Sequence, residues 1–216
     1  MKRVMKKKLI VLGGGGHAKV VVDLIQQLDC FEVLGIVDVD KNKIGSSILG
    51  VDIMGSDEML SEFPPKEVCL ANGIGAVGSD SLHGKIFEKF SRMGYQFPVL
   101  CHPSAIVSSS VVMHEGVQIM AGSVVQAGVI VHKNAIINTR ASVDHDCVIG
   151  SSVHIAPGVV LSGGVHIGAN VHIGTGAVVI ENIYIGESSL VGAGSVVIHD
   201  VPSFVRVAGV PAKELI

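Results

Sequence analysis

From Cys101 to Pro202 an apolar residue returns at every sixth position without a slip, through seventeen consecutive hexads. The first position, from Cys101 and Val107 to Val191 and Val197, is apolar in every one. The fifth holds only Ala, Val, Ser, Cys or Ile, and the second to fourth collect Gly, Asn, Asp, Ser and Pro, residues that turn a chain. Each hexad therefore reads as a short strand plus a corner. A helix would need apolar spacing near 3.6 and would not carry this density of Gly and β-branched residues. Hexapeptide periodicity predicts a parallel β-helix, with three short strands to each triangular coil. Five to six coils would stand roughly 27 Å tall, with the first-position aliphatics stacked inside. The charge-poor faces hint at burial against other subunits.

The first hundred residues follow a different pattern. Lys8–Leu12 predicts a strand, Gly13–Gly16 a tight turn, His17–Leu28 a helix and Val33–Val37 a second strand ending at Asp38, which together make a βαβ unit. The turn fits G-x-G-x-x-A through Gly13, Gly15 and Ala18, with Asp38 at the distance of a dinucleotide fingerprint. Val68–Ala71 predicts another strand, running into a second glycine turn at Asn72-Gly73-Ile74-Gly75, and Ser81–Met93 a helix. The expected fold is an α/β Rossmann-like domain over residues 1–98, followed by an all-β parallel β-helix over 99–216.

Charge marks the same division: residues 1–100 hold 12 Lys/Arg and 12 Asp/Glu, residues 101–216 only 4 and 7. The near balance of the whole chain and 4% aromatic residues offer no broad surface for nucleic acid. Apolar runs are too short for a membrane span or a signal-peptide core, and Cys30, Cys69, Cys101 and Cys147 form no CxxC pair, so a reducing cytoplasm is expected.

A glycine turn opening a helix offers backbone N–H groups and the positive dipole end to phosphate, and Asp38 could accept from a ribose or sugar hydroxyl or a base N–H. NAD needs two mononucleotide halves, and fewer than a hundred residues provide little more than one, so a nucleotide or nucleotide-sugar fits better. In the prism, His145 stands at a corner between Asp144 and Asp146, an arrangement that raises imidazole basicity. His102, His114, His132, His166, His172 and His199 read as solvated corner residues. Cys147, at an inward position, reads as core.

The tracts NTRASVDHDCVIG and HIAPGVVLSGGVHIG, with GGGGHA near the start and AGVPAK near the end, resemble the bacterial nucleotide-linked 4-amino-sugar N-acetyltransferases, a branch of the hexapeptide acyltransferases that also has sialic acid O-acetyltransferase relatives. The resemblance implies a left-handed β-helix, a homotrimer, acetyl-CoA in the groove between prisms and a nucleotide-linked amino sugar held by the amino-terminal domain. Matched by position, it implies His145 as catalytic base, Asp146 as the acid that raises its basicity, Asn138 as an active-site asparagine and His154 as an acetyl-CoA contact. Gly15, Gly16, His17, Asp38, Val39 and Gly73 match the segments that hold the nucleotide-sugar. Some members carry glutamates beside the histidine. Here both are aspartates, and either could reach the ring. Arg140 stands where relatives have small residues and has no assigned role.

The expected chemistry is direct transfer: His145 takes a proton as the sugar C4 amine attacks the thioester. Coenzyme A would lie along the column Pro157, Thr175 and Ala193, flanked by Gly174 and Gly192, with Arg206 and Lys213 as candidates for its phosphates. UDP is expected by resemblance alone. Sugar O-acetylation and a non-catalytic nucleotide-sugar-binding trimer are the alternatives. A zinc site of the H-x4-H type would need two histidines five apart, a spacing the chain lacks, so no metal is expected.

Overall fold

The computed structural model describes residues 6–76 and 82–215. Ser81, the expected start of the second helix, and the first five residues of the basic start lie outside them. The amino-terminal unit is a five-stranded sheet of β1 (Lys7–Leu12), β2 (Phe31–Val37), β3 (Ser47–Ile48), β4 (Val51–Gly55) and β5 (Cys69–Asn72), in the order β3-β4-β2-β1-β5. β1 runs parallel to β2 and β5 and is fully buried at Leu9, Ile10 and Val11, which explains its unbroken apolar run. α1 (Gly16–Gln26) makes the crossover, and α2 (Leu82–Arg92) follows β5. α1 stops short of the expected Leu28 because the Gln27 and Leu28 N–H groups bond three residues back, to Leu24 and Ile25, tightening the last turn. The β3–β4 hairpin was not expected. It turns at Leu49-Gly50, both in the left-handed region, a pair without the usual Asn-Gly or Asp-Gly signature.

The hexads fold as predicted. Strands of two residues stack with partners eighteen positions away, as Val107, Val125, Val143 and Leu161 do, and form three sheets of a parallel β-helix. First and fifth positions are buried from Val117 through Val197, while Cys101, Val107 and Met113, with no coil beneath them, are only partly buried. The fourth position makes the corner and takes positive φ from Gly116 to Gly194. Arg140, Ser152 and Ser188 (each φ 56°) do so without glycine's freedom or the tolerance of asparagine and aspartate, at a cost of about 1–2 kcal/mol each. The corner N–H bonds to the coil below, Arg140 to Ala121 and Asp146 to Ala127, each at 3.0 Å. At the far end Arg206–Ala208 adds parallel to Leu190–Val191, and Val205, Val207 and Ala212 close the core.

The amino-terminal unit docks on the outer face of the eight-stranded sheet. Val21, Val22 and Ile25 of α1 share one apolar cluster with Leu100, Met120 and Ile136 of the prism. Successive rungs of that face are Gln118, Ile136, His154 and His172. The Gln118 amide accepts the His17 Nε2–H (2.9 Å) and donates to the Asn72 carbonyl (2.7 Å). His154 and His172 both meet the Ala76 carbonyl through Nδ1, at 2.6 and 3.0 Å. A carbonyl only accepts, so both rings carry the proton on Nδ1. His83, wholly buried, lies between the carbonyls of Ile74 (2.7 Å) and Asn134 (2.9 Å), and Asn72 donates to the Asn134 side chain (3.2 Å).

Burial pushes His17 and His154 down to about 4 from an ordinary 6.5, with the Gln118 hydrogen bond and the Ala76 carbonyl opposing. Between those values the unfolded chain binds protons that the folded state refuses, so stability falls as pH drops through that window. The slope approaches about 1.4 kcal/mol per pH unit for each ring. The urea midpoint is therefore expected to fall from pH 7.5 to pH 5, and His17→Gln to flatten the fall; a midpoint constant over that range would contradict neutral interface histidines.

Candidate active site

Where the two units meet, a cavity of about 860 Å³ opens. Its walls are the first glycine turn (Gly13–His17), Asp38 and Val39 at the end of β2, Lys43, the second glycine turn (Gly73–Gly75), Leu82, Ile86 and Phe90 of α2, and Asn138, Thr139, His154 and Pro157 of the prism. The glycines have different reasons to be glycine. Gly13 has φ +86°, and a Cβ on Gly73 would lie 2.8 Å from the Leu12 carbonyl. A Cβ on Gly15 or Gly16 would meet nothing within 4 Å, so these two leave open space before the first turn of α1. That is where an anion can approach free N–H groups.

Asp38 differs from its expected role as a free acceptor. Its Oδ2 accepts from the Gly14 N–H (2.6 Å) and Lys43 Nζ (2.9 Å), and its Oδ1 from the Asp40 N–H (2.8 Å), which leaves little capacity for a ligand. Burial would raise this carboxyl, but the Asp40 N–H, the Lys43 ammonium and the Gly14 N–H hold it below the usual value. The His17 ring is similarly committed at Nε2, so it offers a ligand its backbone N–H and a bare Nδ1, and no ring proton.

His145 lies outside this cavity, at the next corner of the prism, with its side chain 63% exposed. Its Nδ1 is 2.9 Å from Asp146 Oδ2, while Asp144 Oδ1 accepts the His145 backbone N–H at 2.7 Å. The geometry thus selects Asp146 as the ring's partner. The Asp146 hydrogen bond and the two nearby carboxylate charges raise the imidazole above its ordinary value against slight desolvation. With Nδ1–H donated to Asp146, Nε2 is bare and free to take a proton. Gly163 of the next coil cradles the ring, since a Cβ there would come within 2.6 Å of it. Cys147 is buried, its thiol pushed up by burial and directed at the Ser162 carbonyl, as a core residue would be.

Gly15, Gly16, His17, Asp38, Val39, Gly73, Asn138 and His154 all reach one cavity; His145 and Asp146 do not join them within the chain. Asn138 Nδ2 instead meets His154 Nε2 at 3.0 Å, and its Oδ1 accepts from the Thr139 N–H, which fixes the amide's orientation. Thr175 and Ala193 are exposed above Pro157 on the same edge. Gly174 and Gly192 have a packing reason of their own: a Cβ on the first would lie 2.5 Å from the Ala193 nitrogen, and on the second 2.8 Å from the Ala208 methyl. His172 overturns its solvated reading, because it is partly buried and bonded to Ala76. Lys43, Thr139, Gly163 and Gln118 were missed; only Gly163, in the glycine pair beside His145's coil, left a sequence signal. Among the described residues no group of three or more His, Cys, Asp or Glu could hold a metal ion, no helix is long and apolar enough to cross a membrane, and the four cysteines are free.

Residues 8–90 match the PglD N-terminal domain family and residues 146–181 the bacterial transferase hexapeptide family. The chain is 38% identical over 122 residues to UDP-N-acetylbacillosamine N-acetyltransferase of Bacillus subtilis (strain 168), a match that covers 53% of this chain and about half (52%) of that relative. Among solved structures, the acetyltransferase domain of PglB from Neisseria gonorrhoeae in complex with acetyl coenzyme A is 38% identical, covers 98% of this chain and 100% of its own, and has a TM-score of 0.90. A histidine-to-asparagine mutant of perosamine N-acetyltransferase from Caulobacter crescentus, in complex with CoA and GDP-perosamine, is 39% identical, covers 96% of both chains and has a TM-score of 0.89. With a shared fold and 38–39% identity over nearly its whole length, the chain belongs to the hexapeptide-repeat N-acetyltransferases of nucleotide-linked amino sugars.

Proposed function

We propose that this protein transfers the acetyl group of acetyl-CoA to the C4 amine of a UDP-linked 4-amino-6-deoxy sugar. It would work as a cytoplasmic homotrimer, with residues 1–98 as the nucleotide-sugar-binding domain and 99–216 as the acetyltransferase domain. The observation that carries the reading is the cavity that joins the two glycine turns to Asn138, His154 and Pro157, because it brings a phosphate-binding surface to the start of the prism edge. The diphosphate would lie against the open N–H groups at Gly15 and Gly16. The pantetheine arm would run from Pro157 past Thr175 and Ala193.

The base must come from another copy, since His145 stands at a different corner from that cavity. The uncovered faces suit such packing. Ile106 and Val160 on one, and Val112 and Tyr184 on the other, leave 68%, 43%, 50% and 53% of their surface exposed, an apolar surface that favours contact with a second prism. In the assembled groove Nε2 of His145 would remove the amine proton as the nitrogen bonds to the acetyl carbon. Asp146 stabilises the imidazolium that forms. As the C–S bond breaks, the imidazolium returns the proton to the coenzyme A sulfur, which completes the transfer with no acyl-enzyme.

Free-thiol release from acetyl-CoA, measured with UDP-, GDP- and dTDP-linked 4-amino-6-deoxy sugars, tests the reading. Turnover is expected with the UDP sugar; silence across the panel would refute N-acetylation. His145→Ala is expected to lower kcat at least about a hundredfold, the scale of general-base loss, with Tm nearly unchanged because the ring is exposed; normal turnover would remove it from the mechanism. Gly15→Asp places a carboxylate against the phosphates without a clash. It is expected to raise the nucleotide-sugar KM roughly tenfold or more while sparing that of acetyl-CoA, and equal KM values would refute the phosphate assignment.

A further inference from the structure

His172 does not line the cavity, yet it shares an acceptor with a residue that does. It occupies the rung above His154, with the two rings 4.9 Å apart and tilted at 66°. Corresponding outward positions on the free faces are mostly Val or Ile, so the coil itself does not call for histidine there. A partly buried imidazole costs free energy unless its polar atoms find partners, and the partner found is the Ala76 carbonyl. That oxygen is held from two adjacent rungs and has both lone pairs in use. Ala76 directly follows Gly73, Ile74 and Gly75 of the cavity wall. His154, on the same carbonyl, presents a bare Nε2 that accepts from Asn138.

We infer that His172 is a positioning residue for acetyl transfer: by sharing the Ala76 carbonyl with His154 it sets the second glycine turn against the prism and holds the His154 ring with its bare nitrogen toward Asn138. A single hydrogen bond would let the chain at Ala76 pivot about the carbonyl. Two donors one rung apart fix its height along the prism as well as its distance from the sheet. The coupling joins the wall proposed for the nucleotide-sugar to the histidine proposed for acetyl-CoA, and so this inference rests on the function proposed above.

The test compares His172→Asn, whose side-chain N–H donor reaches the place of the imidazole Nδ1–H, with His172→Leu, which has none. His172→Leu is expected to raise the KM for the nucleotide-sugar roughly five- to tenfold, the scale of one lost hydrogen bond, while His172→Asn stays within about twofold of the wild type. Both are compared at matched Tm, because a merely structural role would lower Tm and active fraction without a selective change in KM or rescue by asparagine. Unchanged KM values in His172→Leu, or an equal defect in both variants, would overturn the inference. Nitrogen-15 spectra of histidine-labelled wild-type protein give a reading without substrate and without any variant. Both His154 and His172 are expected to carry the proton on Nδ1, and an Nε2–H form of either ring would overturn the inference. A sugar panel without turnover would count against the proposed function alone, and the spectra would still decide the role of His172.

Discussion

The two units meet at a fixed height on one face of a ladder, and the cavity exists only because that height is fixed. Apolar packing of Val21, Val22 and Ile25 against Ile136 and Met120 supplies adhesion, but adhesion has no preferred register. Rungs of a parallel β-helix repeat about every 4.8 Å, and a slip by one would bring Gln118 or His154 to the place of Ile136. Register comes from directional groups: Gln118 beneath the Asn72 carbonyl, His154 and His172 beneath that of Ala76, and His83 between Ile74 and Asn134. A slipped pairing would bury these donors without acceptors, at about 1–3 kcal/mol apiece.

The same burial separates the histidines by chemistry. His17 and His154, inside the interface, are pushed far down and are poor bases near neutrality. His145 keeps its solvent, gains Asp146 and moves upward. Environment alone thus separates them, with His17 and His154 neutral, oriented hydrogen-bonding groups and His145 made more basic. Asp146 takes its place at a left-handed corner (φ 60°), a conformation that aspartate tolerates, and its carboxylate accepts from the preceding residue's ring.

Much of this was legible in the chain. The prism could be read almost residue by residue, because each first position must be apolar, each fifth small or apolar, and each corner must turn, so core and periodicity leave the same mark seventeen times. The glycine turns and Asp38 were legible as a motif, although the motif did not disclose that Asp38 spends its carboxylate on Gly14, Asp40 and Lys43. The Leu49-Gly50 hairpin was not legible, since leucine rarely takes a positive φ. Least legible was the interface. Its members, from His17 to His172, are scattered along the chain, and each alone reads as an ordinary polar residue; His17 finds the Gln118 amide, while His154 and His172 find a backbone carbonyl that no side-chain pattern reveals.

Because partners along a sheet are eighteen residues apart, residue count in the prism acts as an angular coordinate. Adding one hexad between His145 and His154 would carry His154 round to the next face, away from Ala76, although every inward position would still be filled. Adding three hexads would return it to the docked face one rung higher, in the place His172 now holds on Ala76, and would carry His172 a rung beyond that carbonyl. Between these residues, then, the chain cannot change length within its coils and keep the cavity; extra residues can be accommodated only as loops thrown out at corners. Beyond Val197, where no contact with the amino-terminal unit depends on phase, whole coils could be gained or lost. The evolutionary freedom of this fold in length therefore lies at its capped end.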